Sequence, residues 1–144
     1  MKKLLIAILG LISFNASALE ISDFDCSSTQ VSSSGLKLIL NKTASNKPQV
    51  YAIKNITDKD IELNHIKPGG MGAGWASTLS AGKWSALVLT EKNFNLMCAT
   101  DNKATKCENS LEICHMKNVK INANGSYWLA ENKSWDEVAE KFKQ

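Results

Sequence analysis

Three observations predict a mainly β protein, a single immunoglobulin-like β-sandwich of about seven to eight strands with a short carboxyl-terminal helix and disulfide staples. Apolar segments of strand length alternate with turn residues along most of the chain, helical period occurs only at its end, and four cysteines follow an export signal. That signal is read first because it sets the compartment. Met1-Lys2-Lys3 is a positive n-region, Leu4 to Phe14 an apolar run, and Ala16-Ser17-Ala18 a small-residue cleavage site. Residues 1–18 are therefore expected to be a signal peptide and 19–144 one mature domain. The apolar run is shorter than the about 20 residues that a membrane-spanning helix needs, so export rather than anchoring is expected. Cys26 lies eight residues beyond Ala18, which argues against acylation at the cleavage site. A soluble periplasmic or secreted protein is the expectation, in a space where disulfides persist.

Strand elements follow in order. Gly35 to Leu40 is the first clear strand, preceded by the polar run Ser27 to Ser34, read as a loop, and followed by the polar run Asn41 to Asn46. Val50 to Asn55 is a second strand. Asp58-Lys59-Asp60 turns the chain into Ile61 to Ile66, where Ile61, Leu63 and His65 share one face and Glu62 and Asn64 the other. Pro68 to Ser77 is read as a mobile surface loop. Trp84 to Leu89 is the next strand, and Asn93 to Ala99 sets Phe94, Leu96 and Cys98 on one side. Asp101-Asn102-Lys103 then makes a hairpin turn into Thr105 to Cys107. Lys117 to Ile121 and Ser126 to Ala130 form a last pair around Asn122-Ala123-Asn124-Gly125, whose Asn-Gly step accepts positive φ. Tyr51, Trp84, Tyr127 and Trp128 are assigned to the core.

The carboxyl end changes period. Ser134-Trp135-Asp136-Glu137 is a capping box, and Trp135, Val138, Ala139 and Phe142 form one apolar stripe. A helix over about 134–143 is expected, packed on its own sandwich, with docking on a partner as the other use of such a stripe. Asp136 and Glu137 near its start and Lys141 and Lys143 near its end suit the helix dipole.

Cys26, Cys98, Cys107 and Cys114 allow three pairings. A hairpin across Asp101-Asn102-Lys103 would bring Cys98 beside Cys107 and leave Cys26 for Cys114. The alternative of Cys107 with Cys114 and Cys26 with Cys98 stays open. The C-x-x-C spacing that tunes a catalytic thiolate is absent from the sequence, so structural bridges are expected.

Composition narrows the function classes. Removing Lys2 and Lys3 with the leader leaves 15 lysines against 14 carboxylates, a net charge of +1 and no electrostatic case for nucleic acid or an anionic membrane. The sequence contains no arginine, hence no planar fork for two-point phosphate recognition. The histidines are two, His65 and His115, and neither lies in a nucleophile motif. Gly69, Gly70, Gly72 and Gly74 lack the Gly-Lys-Ser/Thr ending of a phosphate loop. Met71 and Trp75 among those glycines make a candidate binding loop, since adaptable apolar groups on permissive backbone suit recognition. His65, His115 and Met116, with Met71 and Met97, are candidate copper ligands. Neighbours on a strand point to opposite faces, however, so His115 and Met116 would share an ion only at a bend. No catalytic residues, cofactor or resident metal are assigned.

The segments Gly82 to Leu87 and Phe94 to Cys98, then Lys106-Cys107, Leu111 to Cys114 and Gly125 to Trp128, resemble in order the enhanced-entry protein B family. These small exported proteins occur in intracellular pathogens such as Legionella and Coxiella and are linked to host-cell invasion. The resemblance implies a virulence-associated accessory protein without established activity and transfers no catalytic residue; the Met71–Trp75 loop and the helix after Ser134 have no counterpart in its pattern. The resulting expectation is an exported, non-enzymatic module that binds an unknown protein of the envelope or host, with no membrane span in the mature chain. An inhibitor of a lysozyme-type hydrolase and a periplasmic copper-binding protein are the alternatives.

Overall fold

In a computed structural model, residues 23–26, 31–41, 47–66, 73–116 and 121–142 are described. They form eleven strands: β1 (Phe24–Asp25), β2 (Val31–Ser34), β3 (Lys37–Asn41), β4 (Gln49–Asn55), β5 (Ile61–Ile66), β6 (Ala73–Leu79), β7 (Trp84–Leu89), β8 (Asn93–Thr100), β9 (Lys103–Thr105), β10 (Leu111–Met116) and β11 (Tyr127–Lys133). A 3₁₀ turn covers Cys107–Asn109, and the helix α1 spans Trp135–Glu140. Two antiparallel sheets result, one ordered β1-β10-β4-β7-β11 and one ordered β2-β3-β8-β5-β6. β9 extends the second along β8, because Cys98 and Ala99 pair β5 on one side and β9 on the other.

Alternation in both sheets builds one core. Leu38 and Leu40, Ile61 and Leu63, and Phe94 and Leu96 from the six-stranded sheet meet Tyr51 and Ile53, Leu87 and Leu89, and Leu111 and Ile113 from the five-stranded sheet in a single buried cluster. The architecture is therefore a β-sandwich, as the period-two pattern predicts. Burial of this apolar surface is the main term holding the sheets together. β7 departs from alternation, since all six of its residues are buried. Its second face belongs to another cluster, in which Trp84 and Ala86 join Phe24, Ala52, Cys114, Ala130 and Val138, with Met116, Leu129, Trp135 and Phe142 packed against them. α1 thus covers the outer face of the five-stranded sheet. Its capping box forms as expected: Ser134 Oγ accepts the Glu137 N–H (3.3 Å) and Glu137 Oε2 accepts the Ser134 N–H (2.9 Å). Those bonds hold the Glu137 carboxyl below its ordinary range.

The disulfides are Cys98–Cys107 and Cys26–Cys114. The first follows from the hairpin, where Asp101 (φ 52°) and Asn102 (φ 60°) make a two-residue turn between Thr100 and Lys103. The second is a cross-strand bond, because β1 and β10 pair Phe24 with Met116 and Asp25 with His115, which sets Cys26 opposite Cys114.

Several expectations are corrected. Ser32 to Ser34 is a strand, not a loop, paired to β3 through a Gly35-Leu36 turn in which Gly35 takes φ 60°. It is polar because it lies at a sheet edge, exposed at Ser32, Ser33 and Ser34. Residues 73–77, read as loop, belong to β6 and pair β5. Cys107 sits in the 3₁₀ turn beyond β9 rather than in a strand. β10 is not among the expected strands; of the strand expected at Lys117 to Ile121, 117–120 lie outside the described residues and Ile121 is not in a strand. β11 pairs β7. α1 ends at Glu140, short of 143, with 141 and 142 in a turn.

A buried amide pins the turns at one end of the sandwich. Asn55 is 0 % exposed; its Nδ2 donates to the carbonyls of Lys59 (2.7 Å) and Leu79 (2.8 Å), and its Oδ1 accepts from Thr57 N–H (2.9 Å) and Oγ1–H (2.8 Å). Every side-chain position of the amide is used, and loss of such bonds strands buried partners. Asn55→Ala is expected to cost about 3 kcal/mol in urea unfolding with an unchanged denaturant slope.

Candidate functional site

The two sheets differ in what covers them. The outer face of the five-stranded sheet lies under α1 and Phe24, whose ring meets Trp135 at 5.3 Å and Phe142 at 6.2 Å. On the six-stranded sheet, the residues between the core positions point away from the core. Their register gives three rows: Ala99, Glu62 and Thr78; Lys37, Met97, Asn64 and Ala76; and Ser32, Ile39, Asn95 and Ile66. Met97, Asn64, Ile39, Asn95, Ile66 and Ala99 are half-buried, while Glu62, Ala76, Thr78, Lys37 and Ser32 are exposed. Methionine, isoleucines and amides thus occupy the middle of this face, and Lys37 and Glu62 are the charges in the described rows.

At one end this face deepens into an open cleft of about 420 Å³ lined by Lys59, Asp60, Glu62, Thr78, Ala99, Asp101 and Asn102. Lys59 Nζ pairs with Asp101 Oδ2 at 2.9 Å, and this hydrogen bond raises the Lys59 pKa above its ordinary value. Both partners are exposed, so the pair orients side chains more than it stabilises the fold. The lining holds no histidine, cysteine or serine. What the cleft offers is carboxylate and amide hydrogen bonding beside an apolar sheet face.

The expected metal residues are dispersed. His65 faces the core on β5, stacked on Phe94 with ring centroids 4.1 Å apart and planes 6° from parallel, and its Nε2 lies 3.7 Å from Glu91 Oε2. His115 and Met116 separate across the sheet, for His115 packs on Tyr51 (5.2 Å) at the inner side whereas Met116 joins the outer cluster beneath α1. Met97 lies on the open face. Of the expected binding loop, Met71 lies outside the described residues and Trp75 falls within β6. Tyr51 and Trp84 are core as expected, and Trp128 packs against the inner cluster; Tyr127, assigned to the core, is 41 % exposed. At the start of β11 the register turns it outward, because Trp128 next to it takes the inward position.

The open face was hidden in the sequence because its residues read only as the polar half of alternating strands. Its signal was Met97 and Ile39, apolar residues at positions that alternation assigns to solvent.

Two pH effects follow from burial. Desolvation pushes the buried Tyr51 hydroxyl up to about 12, and it pushes His115 below its ordinary value against the opposing charge of Asp25 across the strand pair. Above pH 10 the unfolded chain loses the tyrosine proton before the native one does, so stability falls toward pH 12 by up to about 1.4 kcal/mol per pH unit from this group. Below about pH 6.5 the unfolded chain takes up the histidine proton first, and stability falls as pH falls. Urea unfolding across both ranges is expected to show these slopes, the alkaline one reduced in Tyr51→Phe and the acidic one in His115→Gln. No family model, curated protein or solved structure matches this chain.

Proposed function

We propose that the chain is an exported binding module that engages a protein of the envelope or host through the open face of the six-stranded sheet and performs no chemistry of its own. The observation that carries this reading is the asymmetry of the sandwich: α1 and Phe24 close one outer face, while Met97, Ile39 and Ile66 remain in contact with solvent on the other. Among the described residues no helix is long and apolar enough to cross a membrane, and both disulfides are formed, which supports a destination in an oxidising space. Away from the charged cleft, the face presents Met97 among half-buried isoleucines and amides, adaptable apolar groups that suit a protein surface. The likeness to the enhanced-entry protein B family supports a part in host-cell invasion.

A photo-crosslinker placed at Met97 is expected to give one defined adduct with the partner, and the same group at Glu140 on α1 none. Met97→Glu is expected to weaken binding of that partner by tenfold or more, about 1.4 kcal/mol, with an unchanged urea midpoint. Equal adducts from both positions, or unchanged binding by the folded Met97→Glu protein, would remove the face from the interaction.

A further inference from the structure

We infer that the free edge of β6 takes up an extended peptide as an additional strand, and that a lysine or arginine of that peptide, opposite Thr78, enters the cleft beside Glu62. Register decides which backbone groups are free. The two-residue turn at Asp101-Asn102 makes Thr100 and Lys103 a hydrogen-bonded pair, and alternation from there directs the backbone groups of Ala99 and Met97 toward β5. Glu62 and Asn64 bond to them, so Ile61 and Leu63 bond to β6 through Leu79 and Ser77. Ala76 and Thr78 are left with N–H and C=O groups directed away from the sheet. β6 ends its sheet, and among the described residues no backbone bond reaches Ala76 or Thr78 from that side. Asn132 Oδ1 accepts the next outward N–H, that of Ser80, at 2.8 Å, so the open stretch is Ala76 to Thr78. It offers two donors and two acceptors to an incoming strand.

The other edges are blunted. β1, β2 and β9 present two, four and three residues, and β11 is broken by register shifts. β6 has seven residues with neither charge nor proline, and Leu79 to Ala76 pair β5 in unbroken register. Ala76 and Thr78 are exposed. A long, uncharged edge of this kind is a template for strand addition, in which main-chain bonds supply affinity and side-chain sites supply specificity.

Charge in the cleft selects the strand. A residue opposite Thr78 in the added strand points to the outer face and continues the row Ala99, Glu62, Thr78. Its backbone lies two strand spacings from Glu62, about 10 Å, within the joint reach of a lysine or arginine and a glutamate. Lys59 is taken by Asp101, and among the described residues Asp60 and Glu62 form no ion pair, so the cleft is left with unanswered negative charge. Two residues along, a side chain opposite Ala76 extends the row that holds Asn64 and Met97, which suits an apolar residue there. A second copy of β6 would bring no basic side chain to Glu62. The segment taken up belongs to the partner of the binding module proposed above, on which this assignment rests.

The test is selection from a random peptide display library on the mature, oxidised protein, followed by amide NMR with the enriched peptides. Expected are peptides in which β-branched residues alternate around a lysine or arginine, and which shift the Ala76 and Thr78 amides and slow their exchange. Glu62→Gln is expected to weaken their binding about threefold, the scale of an exposed ion pair. Glu62→Lys should abolish the preference for a basic residue, and glutamate in its place in the peptide should restore binding. Thr78→Pro removes an outward N–H at an edge position where proline is tolerated, and should abolish binding. If that variant does not fold, Thr78→Lys, which charges the same edge, gives the comparison. Absence of enriched peptides, peptides without a basic residue, binding indifferent to Glu62→Gln, or shifts confined to β2 or α1 would each overturn the assignment. A concentration-dependent dimer lost in Thr78→Pro would overturn it in favour of a second copy. A Met97 photo-adduct that forms equally in the Thr78→Pro protein removes the edge and leaves the open face as the interaction surface. Peptides held at β6 with no Met97 adduct in the parent keep the edge and remove the face.

Discussion

Burial of the five-stranded sheet on both faces is the constraint on which the rest of the structure depends. β7 is buried at every position and β4 at all but one, so the sheet needs a cover on each side. One cover is the second sheet. The other is assembled from the two ends of the described chain: Phe24 in β1, and Trp135, Val138 and Phe142 in and after α1. A six-residue helix has little stability alone and here takes its order from what it covers. The Cys26–Cys114 bond then has a clear structural task, because a two-residue strand cannot hold Phe24 against that cluster by its ladder bonds alone. A loop this long loses much entropy from the unfolded chain when it is closed.

Polar groups inside this apolar framework sit where turns must be held. Asn55 joins β4 to the ends of β5 and β6, with backbone bonds to Lys83 and from Gly82 adding the turn before β7. Ser85, buried in an otherwise apolar strand, accepts the Asn132 N–H at 3.0 Å, and Asn132 Oδ1 accepts the Ser80 N–H at 2.8 Å. That chain of bonds coincides with the irregular pairing of β11, where Asn132 has φ 51°. Bulged edges of this kind resist pairing with another chain. The sandwich is thus protected along that edge while the face of its other sheet stays open.

The proposed recognition surface and the Cys26–Cys114 bridge fall on different sheets. The proposed protein-binding face lies on the six-stranded sheet, whereas Cys26 and Cys114 lie at the β1–β10 border of the five-stranded sheet. A change at the bridge would act first on β1 and the cluster beneath α1. The face carrying Met97 is built on strands that do not touch β1 in the sheet order.

The residue pattern by itself determined the sandwich class, the strands β3, β4, β5, β7 and β8, the Asp101-Asn102 hairpin, the start of α1 at Ser134, and through the hairpin the favoured cysteine pairing. These are local: period, turn chemistry and capping act over a few residues. Tertiary structure alone decided that the serine run is a strand, since a polar edge strand has no apolar period to announce it. It also decided that Leu111 to Met116 lies between β1 and β4 and that β11 pairs β7, because sheet order is set by contacts between residues far apart in the chain. For the same reason the candidate site was not legible. Rows such as Lys37, Met97, Asn64 and Ala76 exist only after four separate strands are in register.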